Sequence, residues 1–221
     1  MSQFLSKTSK EYREQAASTL VGKMTPIVPA TLVYFLISAV TSIVNGHPST
    51  TSWVWSLVTT LVIMFVEMPL AFSYTTAFMP LVRNGEHKDF MEKVFSVFSN
   101  GNYVRALCVS LLTGVYIFLW MLLLIIPGII KAYSYAMTYY IAKDHPEMSA
   151  EECVHESRMM MQGHKGKLFL LDLSFIGWIL LGCLTLGILM LWVEPKIATA
   201  HVHFYEDLKA YKAEQPVEDE K

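Results

Sequence analysis

The sequence predicts an all-α fold: a polytopic membrane helix bundle of six transmembrane helices arranged as three hairpins, with amphipathic helices in the interface. Three observations predict it. Of the 221 residues, 53% are hydrophobic and only 16% charged, with a mean hydropathy of +0.39; soluble domains carry about 25% charged residues. Apolar runs approach the roughly twenty residues that a membrane-crossing helix needs. Fifteen of the seventeen Lys and Arg residues, all but Lys131 and Lys196, fall in four polar segments between those runs. Positive residues gather on the cytoplasmic side of membrane proteins. If all four segments are cytoplasmic, the chain crosses an even number of times between each consecutive pair.

The elements follow in order. Residues 1–25 read as a cytoplasmic amphipathic segment. They are too polar for a cleaved signal, and neither end carries a lipidation motif. Residues 26–208 form the membrane domain, with cytoplasmic loops at 83–105 and 143–167. The first span, 26–44, leads to an outer turn at 45–52 holding Asn45, Gly46 and Pro48 and no Lys or Arg. The second returns over 55–82, long enough to tilt or to kink at Pro69. Within 83–105, Phe90, Met91, Val94, Phe95 and Phe98 recur at helical spacing, so a helix lies in the interface or packs on the protein. Residues 103–142 exceed one crossing and contain Pro127-Gly128, a turn signal that divides them into 103–126 and 128–142. The second part is short enough to be re-entrant instead. Ser149 to Glu152 is a capping box, so a helix starts there and ends near Gly163. A span over 166–185 follows, then a turn at Gly187 and a return over 188–207 interrupted at Glu194-Pro195. Residues 209–221 read as an acidic disordered tail.

The three hairpins resemble one another. Each follows an amphipathic segment ending near a glycine: Gly22, Gly101 and Gly163. Each returning helix holds a proline and, later, a basic residue. These pairs are Pro69 and Arg83, Pro127 and Lys143, and Pro195 and Lys209. Internal repeats of this kind recur in transporter folds.

Five charges lie outside the polar segments: Glu67, Lys131, Asp172, Glu194 and Lys196. A charge at the bilayer centre costs about 2.5–3.5 kcal/mol on insertion scales, so each calls for a partner, water or neutralisation. The functional reading joins Glu67, Lys131, Tyr135, Asp172, Glu194 and His201 in an intramembrane polar site, with Glu67, Glu194 and Lys131 facing one another. The structural reading has the lysines snorkel and Asp172 pair with Lys165 or Lys167. The returning helices carry most of the hydroxyl and imidazole groups, which belong in the bundle core rather than against lipid.

Several chemistries are not signalled. The net charge is -2 and no basic stripe exists, so nucleic acid is not an expected partner. Cys108, Cys153 and Cys183 show no metal or disulfide spacing and read as free, mostly buried thiols. His201 and His203 point to nearly opposite sides of a helix, which argues against a metal pair. Adjacent His155, Glu156 and Ser157 do not face one another as a triad would. No catalytic or nucleotide-binding motif occurs, and neither metal nor cofactor is expected.

The strings IIPGIIKAYSYAM (125–137), HPEMSAEECVHESRMMMQGHKGKLFLLDLSFIGWILLG (145–182) and LTLGILMLWVEPKIATA (184–200) resemble a bacterial multi-pass membrane family catalogued as domain of unknown function 975. The SRxMMxG and LSFIGW segments are the most specific. The resemblance is strongest in the C-terminal part and extends to the N-terminal amphipathic segment. A looser likeness links the chain to the membrane domain of some glycerophosphodiesterases, but no phosphodiesterase motif is present. The resemblance implies a bacterial cytoplasmic membrane location and brings no activity; the charge pattern with six crossings places both termini in the cytoplasm. The family pattern places an aromatic after the last proline, where this chain has Lys196.

The expected function is therefore a non-enzymatic protein acting by binding: a scaffold, an accessory subunit or an immunity-type factor. Its partners are the lipid bilayer and a membrane protein or peptide. The alternative is a small-solute or ion transporter or channel with a polar path near Glu67, Lys131 and Glu194. An intramembrane enzyme ranks third.

Overall fold

The computed structural model describes residues 3–46, 53–99 and 101–214; among them it is helical, with no strand. Two short helices, α1 (Gln3–Ser6) and α2 (Ser9–Leu20), precede the first hairpin. That hairpin is α3 (Met24–Gly46) outward, then α4 (Trp53–Val62), a π-helical segment (Ile63–Glu67) and α5 (Met68–Asn84) back. The amphipathic α6 (Phe90–Ser99) leads to α7 (Tyr103–Leu123), which returns as α8 (Ile125–Ser134) and α9 (Thr138–Asp144). Then α10 (Ala150–Met160) leads to α11 (Lys165–Leu173) and α12 (Ile176–Leu184), and α13 (Met190–Glu214) returns. Among the described residues, four helical stretches are long and apolar enough to cross a membrane: Met24–Ser42, Leu57–Asn84, Tyr103–Leu123 and Lys165–Leu184.

The three units share one construction. The amphipathic helices α2, α6 and α10 are each followed by a glycine in the left-handed region, Gly22 (φ 73°), Gly101 (φ 69°) and Gly163 (φ 81°). Only glycine takes that conformation at no steric cost, and it redirects the chain into the next hairpin. Each amphipathic helix packs principally on the hairpin before it: α6 on α3 and α5, α10 on α7 and α9. The helix α2 packs instead on α11 and α13, the last hairpin. The three units therefore close into a ring.

Contacts join all four polar segments at one end, the basic end. Lys7 pairs with Asp207 at 2.5 Å, Arg83 with Asp144 at 2.7 Å, and Lys167 donates to the Phe4 carbonyl. The most buried side chains also lie there, among them Tyr12, Phe78, Phe90, Tyr140, Phe204 and Tyr205. Away from it, Leu36, Val40, Leu61, Leu122 to Ile126, Leu180 and Leu184 are exposed, forming an apolar outer surface. The returning helices α5, α9 and the lower half of α13 are central: Leu70, Thr76, Phe78, Thr138, Tyr140, Thr199 and Val202 are almost fully buried.

Several expectations change. The second hairpin turns at Leu124 (φ -161°, ψ 141°), not at Pro127-Gly128. Pro127 falls in the first turn of α8, where a missing N–H leaves no intrahelical bond unmade. Gly128 serves close packing instead: a Cβ there would lie 2.6 Å from Met121 Cγ and 2.9 Å from its Cα. Near Pro69 the helix widens into the π segment rather than breaking. Proline cannot donate to the carbonyl four residues back, and that carbonyl, Phe65, instead accepts the Tyr103 hydroxyl at 2.7 Å. The span expected over 166–185 is divided at Ser174-Phe175. Conversely, α13 is uninterrupted at Glu194-Pro195 and continues through residues 209–214, expected to be tail. Those turns are held by buried Leu208, by Lys209 on Asp144 at 2.7 Å, and by Tyr211 stacked on Phe4. The outer-turn residues 47–52 and tail residues 215–221 lie outside the described residues. Of the cysteines, all free, only Cys153 is buried. The stripe in 83–105 packs on the protein, with Phe90 and Val94 at 0% exposure, while Phe98 stays exposed.

Replacing Gly101 or Gly163 by alanine is expected to destabilise the protein by about 1–2 kcal/mol each. An added Cβ would meet no atom within 4 Å at either site, so only the backbone penalty acts. Gly177→Ala, in the helical region with equally open space, leaves the melting temperature unchanged or raises it. Thermal unfolding in detergent compares the three.

Candidate intramembrane polar site and ionic hub

The site grows from the helices that meet at the centre. Tyr34 on α3 stacks on Tyr74 of α5 at 4.5 Å and 6°, and the Tyr74 hydroxyl is 3.1 Å from Thr31 Oγ1. Tyr140 on α9 stacks on Tyr205 of α13 at 5.3 Å. Glu67 Oε1 is buried with no hydrogen-bond partner.

Asp172 forms a second cluster closer to the basic end. Its Oδ1 lies 2.6 Å from His201 Nε2, and its Oδ2 accepts the Tyr133 hydroxyl at 3.0 Å. Three elements meet here, α8, α11 and α13. The expected pairing with Lys165 or Lys167 does not occur, because Lys167 is directed to Phe4, whose carbonyl and ring it meets. His203, two residues on, instead meets Thr19 Oγ1 at 2.9 Å, so the two histidines do face different sides.

The Lys131 ammonium lies over the Trp120 ring at 4.4 Å. Lys196 similarly lies over Trp178 at 5.6 Å. Tyr135 is buried at the break between α8 and α9 and leans on Tyr116 at 6.0 Å. Of the six expected site residues, the structure pairs Asp172 with His201, while Lys131 packs on Trp120 and Tyr135 on Tyr116.

No motif or spacing marks the strongest cluster, at the basic end. Asp144, with a side chain only 7% exposed, accepts both Arg83 Nη atoms at 2.7 Å, Lys209 Nζ at 2.7 Å and the Tyr205 hydroxyl at 3.0 Å. Arg83 also reaches Glu206 at 2.6 Å. The hub ties the ends of the three returning helices together. Burial alone would raise the Asp144 pKa, but hydrogen bonds from Arg83, Lys209 and Tyr205 more than reverse this and hold it at about 2.

Side chains also repair the backbone. Ser157 Oγ donates to the Ser134 carbonyl at 3.0 Å and accepts the Met137 amide at 3.2 Å. It thereby satisfies both edges of the break at 135–137, a role that leaves it unavailable as a nucleophile. Arg105 donates to the carbonyls of Ala142, His145, Pro146 and Met148 around the end of α9, at 2.5–3.1 Å.

The model of a family described as "Protein of unknown function (DUF975)" matches residues 1–134 and 121–212. No curated protein and no solved structure matches the chain.

Asp144→Asn is expected to lower stability by about 1–3 kcal/mol at neutral pH, since it leaves two cations short of a partner. Because the folded pKa is depressed below the ordinary 3.8, the stabilisation is complete above about pH 4 and lost as pH falls towards 2. Unfolding of the wild type followed over that window steepens with acid, and the variant responds less. The exposed pair of Glu86 with Lys93 is the control: Glu86→Gln costs at most about 1 kcal/mol.

Proposed function

The chain belongs to the family described as "Protein of unknown function (DUF975)", and we propose that it is a bacterial cytoplasmic-membrane protein that works by binding, without catalysis. In this reading it crosses the bilayer six times. The four long apolar helical stretches are completed by α8 with α9, and by α13, as the return legs of the second and third hairpins. Both termini and the loops at 83–105 and 143–167 are cytoplasmic, since the positive residues gather at that end. The protein then serves as a scaffold, accessory subunit or immunity-type factor for a membrane protein or peptide.

The observation that carries the binding reading is how the central hydroxyls are used. Those of Thr76, Ser134 and Thr199 donate to carbonyls of their own helices, at Phe72, Ile130 and Pro195, and that of Thr138 to the Tyr135 carbonyl in the break before α9. Ser73 donates to the Lys93 carbonyl and Ser110 to the Met68 carbonyl. Groups bonded in this way serve helix packing rather than a solute path. A transporting role is the second reading, and what favours it is Glu67, whose Oε1 is buried with no hydrogen-bond partner.

Two experiments test these readings. On a cysteine-free background, cysteines placed at Glu86 and Glu151 are protected from an impermeant reagent applied outside intact cells, and one at Asn45 is labelled; labelling at Glu151 would break the six-crossing topology. Proteoliposomes are then expected to show no solute or proton flux above protein-free liposomes. Flux abolished by Glu67→Gln would replace the binding reading with the transporting one.

A further inference from the structure

A cavity of about 370 Å³ opens between the amphipathic helix α2 and the last hairpin. Its walls are Phe175, Trp178 and Val193. Phe175 and Val193 are 3% exposed, whereas Trp178 is 47% exposed and continues into the apolar outer surface of α12 with Leu181. Its rim holds Lys10, Arg13 and Lys196 against one carboxylate, Glu14. Lys10 and Glu14 are 3.8 Å apart, and both are well exposed. Arg13 donates Nη1 to the Ser174 carbonyl at 2.8 Å, at the break between α11 and α12. That bond uses one of the five guanidinium N–H donors and fixes the group at the mouth. Lys196 makes no ion pair among the described residues and rests on Trp178.

A pocket with a cationic rim, an apolar wall and a side open to the outer surface matches a ligand that is anionic at one end and hydrocarbon at the other. Its place beside an amphipathic helix sets it at headgroup depth. Lys196 lies on α13 between Pro195 and Ile197, and its long stem lets the ammonium reach the rim. We infer that this cavity binds an anionic glycerophospholipid. Arg13 and Lys196 hold the headgroup phosphate, Lys10 adds to the attraction, and one acyl chain lies along Trp178. Basic pockets between membrane helices recognise anionic headgroups in this way. The inference rests on the membrane reading above for α2 at the interface, but not on which side of the membrane α2 lies.

The test uses the purified full chain in detergent. Phosphatidylglycerol, phosphatidylcholine of the same acyl chains, and inorganic phosphate are each titrated while thermal unfolding is followed. Phosphatidylglycerol is expected to raise the melting temperature, and the other two are not. Each rim cation removed weakens apparent phosphatidylglycerol affinity about fivefold, so Arg13→Gln/Lys196→Gln loses most of the shift and Lys88→Gln, on a distant exposed loop, keeps it. If the double variant unfolds without lipid, Lys10→Gln/Lys196→Gln replaces it, because neither side chain makes a backbone contact there. An equal shift with phosphatidylcholine overturns the inference. So does a shift reproduced by inorganic phosphate, or one retained in the rim variants. Loss of the lipid effect with an intact cysteine-labelling pattern defeats this inference alone; a failed labelling pattern with the lipid effect intact defeats only the topology.

Discussion

Each amphipathic helix here has an apolar stripe that it cannot bury alone; the preceding hairpin covers α6 and α10, and the last hairpin covers α2. Everything else in the arrangement depends on that constraint. A helix as polar as α2 gains little from lipid and little from solvent. Its buried side chains Tyr12, Ala16 and Leu20 need a partner surface, and α11 with α13 supply it. The first amphipathic helix therefore depends on the last hairpin, and Lys7 with Asp207 and Phe4 with Tyr211 join the N- and C-terminal elements. Non-local closure of this kind is entropically costly, which fits the concentration of large buried side chains at the basic end, where the closing contacts lie.

A second rule governs the helix interruptions. Irregular backbone at membrane depth survives only where its polar groups are satisfied. Each interruption here has a side chain assigned to it from a neighbouring element. Tyr103 takes the carbonyl released by Pro69. Ser157 holds both edges of the break before Thr138. Arg13 takes the Ser174 carbonyl at the break in the third hairpin, and Arg105 gathers the carbonyls beyond α9. These contacts fix register between units, so the breaks act as joints between helices rather than defects within them.

Charge segregation was the legible part of the sequence. It placed four segments at one end, and contacts between those segments put them there. The glycines at 22, 101 and 163 were legible too, because a polar amphipathic segment followed by glycine signals both a stop and a turn. The turn at Leu124 was not, since nothing in a run of leucines and isoleucines marks where a hairpin bends; Pro127-Gly128 drew attention because both residues also occur in turns. The extension of α13 to Glu214 was hidden for a related reason. Its last turns are polar by composition, and only tertiary contacts to Asp144 and Phe4 make them helical. Asp144 looked like one more loop charge beside Lys143. Its importance depends on Arg83 and Lys209, distant in sequence.

The repeat explains why that carboxylate is needed. Arg83 and Lys209 occupy matching positions, fourteen residues after Pro69 and Pro195, so the ring brings two cations to one point. A third cation at the matching place in the second hairpin would add repulsion with no acid to relieve it. The second hairpin instead turns Lys143 outward, where it is exposed, and presents Asp144 to both partners. The symmetry is broken again at the far end of the bundle. The first and third hairpins carry Glu67 and Glu194 just before their prolines, whereas the second has Ile125 and Ile126, both about 70% exposed. At the matching place the first and third units therefore carry an acid and the second an exposed apolar pair. That asymmetry gives the second hairpin an apolar flank, which remains to meet lipid or another membrane helix.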